Sequence, residues 1–172
     1  MSGESVIAWP EGHEPEGAAW HAVNELQVDA TVDDVFAWLR RPDLWPSYYW
    51  NARFVRHRGG TWPEVSSGSR WRWFTFGALI NSELVQLDVP APGGEVRLAW
   101  SAHHPGAHGH HAWVLTPNAE GTFIRTEETQ HGWAAAIAAP VMSRLQVRLH
   151  QRWLEGLAKV AKAGLPEPAA NA

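Results

Sequence analysis

The chain contains no cysteine, which excludes disulfides and every thiolate metal site. Charged residues are sparse, 19% of 172, and the net charge is −4 with no long basic block. A nucleic-acid-binding face needs clustered Lys and Arg against the phosphates and is therefore not expected. No apolar run approaches the roughly 20 residues of a membrane span, and the first residues lack a signal-peptide pattern. A cytoplasmic protein without stable membrane insertion is the expectation. What the chain does have is tryptophan, twelve of them, within a composition that is 45% hydrophobic. Each Trp brings a large apolar surface and one N–H in need of a partner. So many in a chain of one-domain length imply an aromatic interior, either a bulky core or the wall of a ligand cavity.

Residues 1–19 are rich in Gly, Pro and Glu without periodicity and read as an extended or loosely docked arm. "WHAVNELQVDA" reads as a first strand. "TVDDVFAWLR" has a Thr cap, two Asp in its first turn and Val32, Val35, Phe36 and Leu39 on one face, which predicts a short helix ended by Pro42. "PDLWPSYYWNA" predicts a second helical turn. Strands follow at "RFVRHR", "SRWRWFTFG", "ALINSELVQLDVP", "EVRLAWSA", "HHAWVLTP" and "TFIRTEETQHG", separated by short Gly/Pro turns, the pattern of an antiparallel meander. From Ala134 the period becomes helical, with Leu145, Leu149, Trp153, Leu157 and Val160 as one stripe and Gly164 as the stop; Pro140 starts or kinks this helix. Residues 165–172 are a tail. The layout is α+β, a curved antiparallel sheet of about seven strands wrapped around a long C-terminal helix, with two short helices after strand 1. A sheet bent around a helix leaves space between them, where clefts form.

"HHPGAHGHHAWVLTP" holds five of the ten histidines within nine positions, His103 to His111. Histidine is both the commonest metal ligand and the readiest acid or base near neutrality. Strand parity divides the group. If the turn Asn118–Gly121 closes a regular hairpin, Leu115 faces Ile124, Trp113 faces Thr126 and His111 faces Glu128 on one side. Val114 opposite Arg125 and Ala112 opposite Glu127 form the other side, with Arg125 and Glu127 in water. Leu98, Trp100, Trp71 and Trp73 extend the inner face. His103, His104, His108 and His110 then belong to a solvated loop or the outer face, with no spacing that matches a metal site, so no metal is expected. His131 and His150 read as surface or helix-packing residues. Tyr48 is expected to reach the cavity, and Val141, Met142 and Leu145 to roof it. His111 and Glu128 are either an acid/base pair or a satisfied polar pair in a binding pocket.

Four local motifs in order carry a resemblance. "VDATVDDVFAWLRRPDLWPSY", "GSRWRWFTFG", "HAWVLTPNAEGTFIRTEE" and "HQRWLEGLAKVA" resemble segments of the START-domain and birch-pollen-allergen superfamily (SRPBCC), in its polyketide cyclase/dehydrase-like branch. The resemblance spans about Ala19 to Ala163 and implies the helix-grip fold, with one ligand-binding domain over 20–164. It implies a cavity for a hydrophobic small molecule, aromatic, polyketide-like or lipid, under the C-terminal helix. Members of the superfamily include carriers as well as cyclases and lyase-like enzymes. The expected function is therefore binding of such a ligand, the alternative being a cyclase, aromatase or lyase-like enzyme that uses His111 and Glu128. No cofactor is implied.

Overall fold

The computed structural model describes residues 7–168. Its strands are β1 (Trp20–Val28), β2 (Arg53–Gly59), β3 (Arg70–Thr75), β4 (Ala78–Asp88), β5 (Val96–His104), β6 (Ala107–Asn118) and β7 (Gly121–His131). The helices are α1 (Val32–Leu39), α2 (Trp45–Tyr48), preceded by a 3₁₀ turn at Pro42–Leu44, and α3 (Trp133–Ala163). The seven strands form one antiparallel sheet in the order β1-β7-β6-β5-β4-β3-β2. This is the α+β helix-grip arrangement, with α3 lying along the sheet.

Local chemistry sets the elements. The Thr31 hydroxyl accepts the Asp34 amide at 3.1 Å and caps α1, whose Val32, Val35, Phe36 and Leu39 are buried. Pro140 lies inside α3, which begins a full two turns earlier at Trp133. α3 comes close to α2 because residue 156 is glycine; a Cβ there would stand 2.1 Å from the Tyr48 carbonyl oxygen. β1 grips the helix from the side: Asn24 Nδ2 donates to the Val147 carbonyl at 2.9 Å and to Gln151 at 3.0 Å, and the Trp20 indole donates to Gln146.

The core lies between the sheet and the C-terminal half of α3. Trp45 packs at 5.0–5.7 Å, ring centre to ring centre, from Trp71, Trp73, Trp100 and Trp153, and Tyr49 stacks on Trp153 at 4.6 Å. The stripe expected on α3 is met only in its later part. Leu149 and Val160 pack against the core and Trp153 and Leu157 are buried, whereas Leu145 is 38% exposed. Helical residues advance about 100° each, so every four-residue step gains about 40°. Leu145 therefore points about 80° away from Trp153, while Ala135, Met142 and Gln146 lie within about 20° of it.

The histidine-rich segment departs from expectation. β5 runs to His104 and β6 starts at Ala107, so only Pro105 and Gly106 turn the chain, with Gly106 at φ 78°. His108 and His110 are strand residues of the outer face, where His108 is half-buried and His110 is covered. The N-terminal arm crosses that face: Ile7 and Trp9 pack on Ala99, Ala112 and Val114, and the His13 carbonyl accepts from Thr129 at 2.8 Å. His110 is buried under it, 2% exposed. Glu127, expected in water, is buried too, paired with His21 and Arg125 at 2.7 Å each. A long sheet face with one covering segment buries polar side chains that alternation alone would assign to solvent. Residues 1–6 of the arm and 169–172 of the tail lie outside the described residues.

The arm is held partly by imidazoles. His13 sits 5.2 Å from His108 and 6.0 Å from His131, which itself stacks on His108 at 5.5 Å. Burial, then His13, His131 and His103, hold His108 below its ordinary value, against a hydrogen bond from its ring to the Gly12 backbone that raises it. A histidine depressed in the folded state contributes stability above its unfolded pKa, about 6.5, and loses it as pH falls. The arm should therefore loosen in acid. Trp9→Ala is expected to cost about 1–2 kcal/mol in urea unfolding at pH 7.5 and less at pH 5.5, where the undocked state gains from protonation of His108. An equal cost at both values would show that the imidazoles do not govern docking.

Candidate functional site

The hairpin β6–β7 has the register that places His111 opposite Glu128, Trp113 opposite Thr126 and Leu115 opposite Ile124. All six side chains are buried on the face toward α3. A cavity of about 270 Å³ opens under the N-terminal half of that helix. Its wall includes Trp73, Trp100, Phe76, His111 and Glu128, and its roof Ala135, Ala138, Met142 and Gln146. The alanines are the reason for the hollow: where the row through Trp153 continues toward the helix start, the side chains shrink.

Of the residues expected around a ligand, Trp73, Trp100 and Met142 line this cavity together with His111 and Glu128. Trp71, Leu98, Trp113, Leu115, Ile124 and Thr126 face the same way but are packed solidly beyond its end. Tyr48 packs on Trp38 instead of reaching the cavity. Val141 is 70% exposed and, like Leu145, points away from the sheet, since it lies about 120° from Trp153 around the helix. Phe76, Gln130, Gln146 and His150 are cavity residues that the sequence did not disclose. Gln130 was within reach, because it follows Glu128 by two positions in a strand.

His150 changes the site most. α3 presents it edge-on to Phe76 at 5.7 Å and stacked on His111 at 4.7 Å. Its Nε2 lies 3.2 Å from Glu128 Oε2, and His111 Nδ1 lies 3.1 Å from the same oxygen. Glu128 is thus a buried carboxylate between two buried imidazoles. Its other oxygen accepts from the Gln130 amide. Phe76 itself has φ 51°, a left-handed conformation that costs a non-glycine residue about 1 kcal/mol or more. Asn51 holds it there by accepting the Phe76 amide at 3.2 Å while donating to Tyr49 and Thr75.

Burial drives the electrostatics of the cluster. It pushes His111 down to about 3, outweighing the opposing pull of Glu128. Burial by itself would raise Glu128, yet His111, His150 and Gln130 together hold it below the ordinary carboxylate value. At neutral pH His111 is therefore a neutral imidazole beside the Glu128 carboxylate.

Hydrogen-bond accounting assigns the tautomer of His111. Thr126 Oγ1 lies 2.9 Å from the Ala112 carbonyl and 2.8 Å from His111 Nε2. The hydroxyl has one proton, and a carbonyl can only accept. Thr126 therefore donates to Ala112 and accepts from His111 Nε2–H. Imidazole ¹⁵N NMR should show the His111 proton on Nε2. Thr126→Val should remove that preference and lower stability by about 1–3 kcal/mol, since it strips a buried N–H of its partner. An Nδ1–H tautomer in the unsubstituted protein would refute the assignment.

Comparisons place this architecture among known proteins. A family model described as polyketide cyclase / dehydrase and lipid transport matches residues 19–162. No curated protein sequence matches the chain. Among solved structures, the hypothetical protein jhp0584 from Helicobacter pylori superposes with a TM-score of 0.84 at 24% identity, over 94% of this chain and 99% of that one. TTHA0849 from Thermus thermophilus gives 0.64 at 16% identity, covering 83% and 97%. Norcoclaurine synthase from Thalictrum flavum, in complex with dopamine and hydroxybenzaldehyde, gives 0.63 at 12% identity, covering 96% and 100%. The structural likenesses establish the fold, and the match over 19–162 shows that the chain belongs to the polyketide cyclase / dehydrase and lipid transport family of the SRPBCC superfamily.

Proposed function

We propose that the protein binds a small, largely apolar molecule, aromatic in character, in the cavity beneath the first half of α3. The observation that carries this reading is the lining itself: Trp73, Trp100, Phe76 and Met142 surround a space that closes on one polar cluster, His111, Glu128 and His150. Apolar walls with a few convergent polar groups are the ordinary form of a small-molecule site. Size sets the ligand class. A cavity of about 150 Å³ suffices for benzene, so about 270 Å³ suits a ligand of one or two rings. The polar cluster would receive its oxygen or nitrogen end. A relative of the same fold has been solved with dopamine and hydroxybenzaldehyde, both single-ring phenols, which agrees with this scale. Among the described residues no helix is long and apolar enough to cross a membrane.

A second reading is favoured by the burial of Glu128 against His111. A cyclase, aromatase or lyase-like enzyme needs a shaped, dry pocket and one acid/base pair within hydrogen-bond reach. The pair at 3.1 Å on the cavity wall meets that need. In that case Glu128→Gln and His111→Ala would abolish turnover of a bound substrate while leaving its binding within a few-fold.

Tryptophan fluorescence tests the binding reading, because Trp20, Trp73 and Trp100 line the cavity. Hydroxybenzaldehyde and two-ring phenols should quench it saturably. Ala138→Trp, which fills the roof, should weaken binding at least tenfold without lowering thermal stability. Saturable quenching that survives this substitution would move the ligand elsewhere and end the proposal.

A further inference from the structure

We propose that His111 Nδ1, Glu128 Oε2 and His150 Nε2 are the protein ligands of a divalent transition-metal ion at the inner end of the cavity. The first support is geometric. The three atoms lie within 4.8 Å of one another, and among the described residues no other group of three or more such side chains does so. Glu128 Oε2 stands 3.1 and 3.2 Å from the two nitrogens. A tetrahedral ion with bonds of about 2.0–2.2 Å spaces its ligands about 3.3–3.6 Å apart. Small side-chain movements therefore admit the ion.

The second support is the hydrogen bonding around the ligands. Thr126 Oγ1 lies 2.8 Å from His111 Nε2, the ring nitrogen turned away from Glu128, and this leaves Nδ1 aimed at Glu128 Oε2 at 3.1 Å. A neutral imidazole whose far N–H is anchored to an oxygen is also the arrangement of a metal-binding histidine. The Gln130 amide on Glu128 Oε1 serves the carboxylate in the same way.

The third support is placement. The ligands come from β6, β7 and α3, so the folded protein holds all three without assistance from a loop. All are buried, with His111 and His150 each 1% exposed, unlike a solvated acidic patch. The open side faces Trp100 and Phe76. Two imidazoles and one carboxylate select zinc, iron(II) or cobalt(II) over calcium or magnesium. One carboxylate leaves a divalent ion with net charge +1, which suits a ligand bearing an ionised oxygen: a phenolate, enolate or carboxylate. This choice of ligand rests on the cavity reading above; the metal site does not.

The outer-face histidines are a competing sink for metal, so the test must separate the two. Untagged, chelator-treated protein is titrated with Zn²⁺ by calorimetry and with Co²⁺ by visible absorption and NMR. We expect one ion per chain with a Kd of roughly 1 μM or tighter, and Co²⁺ d–d bands of a four- or five-coordinate site. Co²⁺ should broaden the indole signals of Trp100, Trp113 and Trp153, whose rings lie 4.6–5.7 Å from His111, before that of Trp9. Glu128→Gln and His150→Ala should weaken binding at least tenfold, and the double variant His108→Ala/His131→Ala should leave it unchanged. No binding tighter than about 1 mM, or broadening that begins at Trp9, would overturn the proposal even if the cavity variants fail to fold. Phenol quenching in metal-free protein keeps the two readings apart: retained quenching without metal binding sinks only the metal site, and metal binding without quenching sinks only the ligand reading.

Discussion

The packing of Trp153 decides the shape of this protein. Its ring lies 4.6 Å from Tyr49, 5.0 Å from Trp45 and 5.1 Å from Trp113, with Trp73 and Trp100 at about 6 Å. One side chain of α3 thereby joins the short helix α2 to three strands of the sheet, β3, β5 and β6. Aromatic rings in edge-on and stacked contact contribute beyond the area they bury. Here they pin the C-terminal half of α3 against the sheet. Once that half is seated, the N-terminal half is carried over the open end of the curved sheet at a set height. Its inner row there is Ala135, Ala138 and Met142, too slender to fill the gap. The dense core and the cavity are thus two ends of one helix row, and the second exists because the first is rigid.

The same helix delivers His150. One turn or less from Trp153, it has little freedom, and its Nε2 meets a carboxylate that the hairpin β6–β7 has already turned inward. Adjacent carboxylates show how a strand separates roles. Glu127 points outward, where the arm, His21 and Arg125 cover it; Glu128 points inward to two imidazoles. Both are buried, and both are satisfied by different partners. Burial without partners would have neutralised either one. Two faces of the sheet are therefore polar at their centres, one closed by the arm and one open to the cavity.

Much of this was legible in the residues. The hairpin register followed from a four-residue turn and strict alternation, because a slip by one would have exposed Trp113, Leu115 and Ile124 together. The α+β order followed from the change of period at the last helix. Other features were hidden for identifiable reasons. The row Leu145, Leu149, Trp153, Leu157 looked straight in sequence, but a four-residue spacing drifts around an α-helix, so its early members left the inner face. The histidine loop proved to be mostly strand, because a single Pro-Gly turn sufficed to reverse the chain. The burial of His110 and Glu127 depended on where the arm lies, and the arm has no periodicity to announce it.

By itself, then, the sequence determined the class of fold, the order of its elements, the inward pairing of His111 with Glu128 and the aromatic nature of the interior. These depend on local spacing and on side-chain alternation, which are properties of short segments. Only the tertiary structure decided where the interior is full and where it is hollow, which of twelve tryptophans face the space, and that His150, 22 positions beyond Glu128, completes the polar cluster. Those outcomes depend on how one long helix is rotated and tilted over a curved sheet. That rotation is set by the sum of contacts along its whole length, led by Trp153, and no short stretch of residues encodes it.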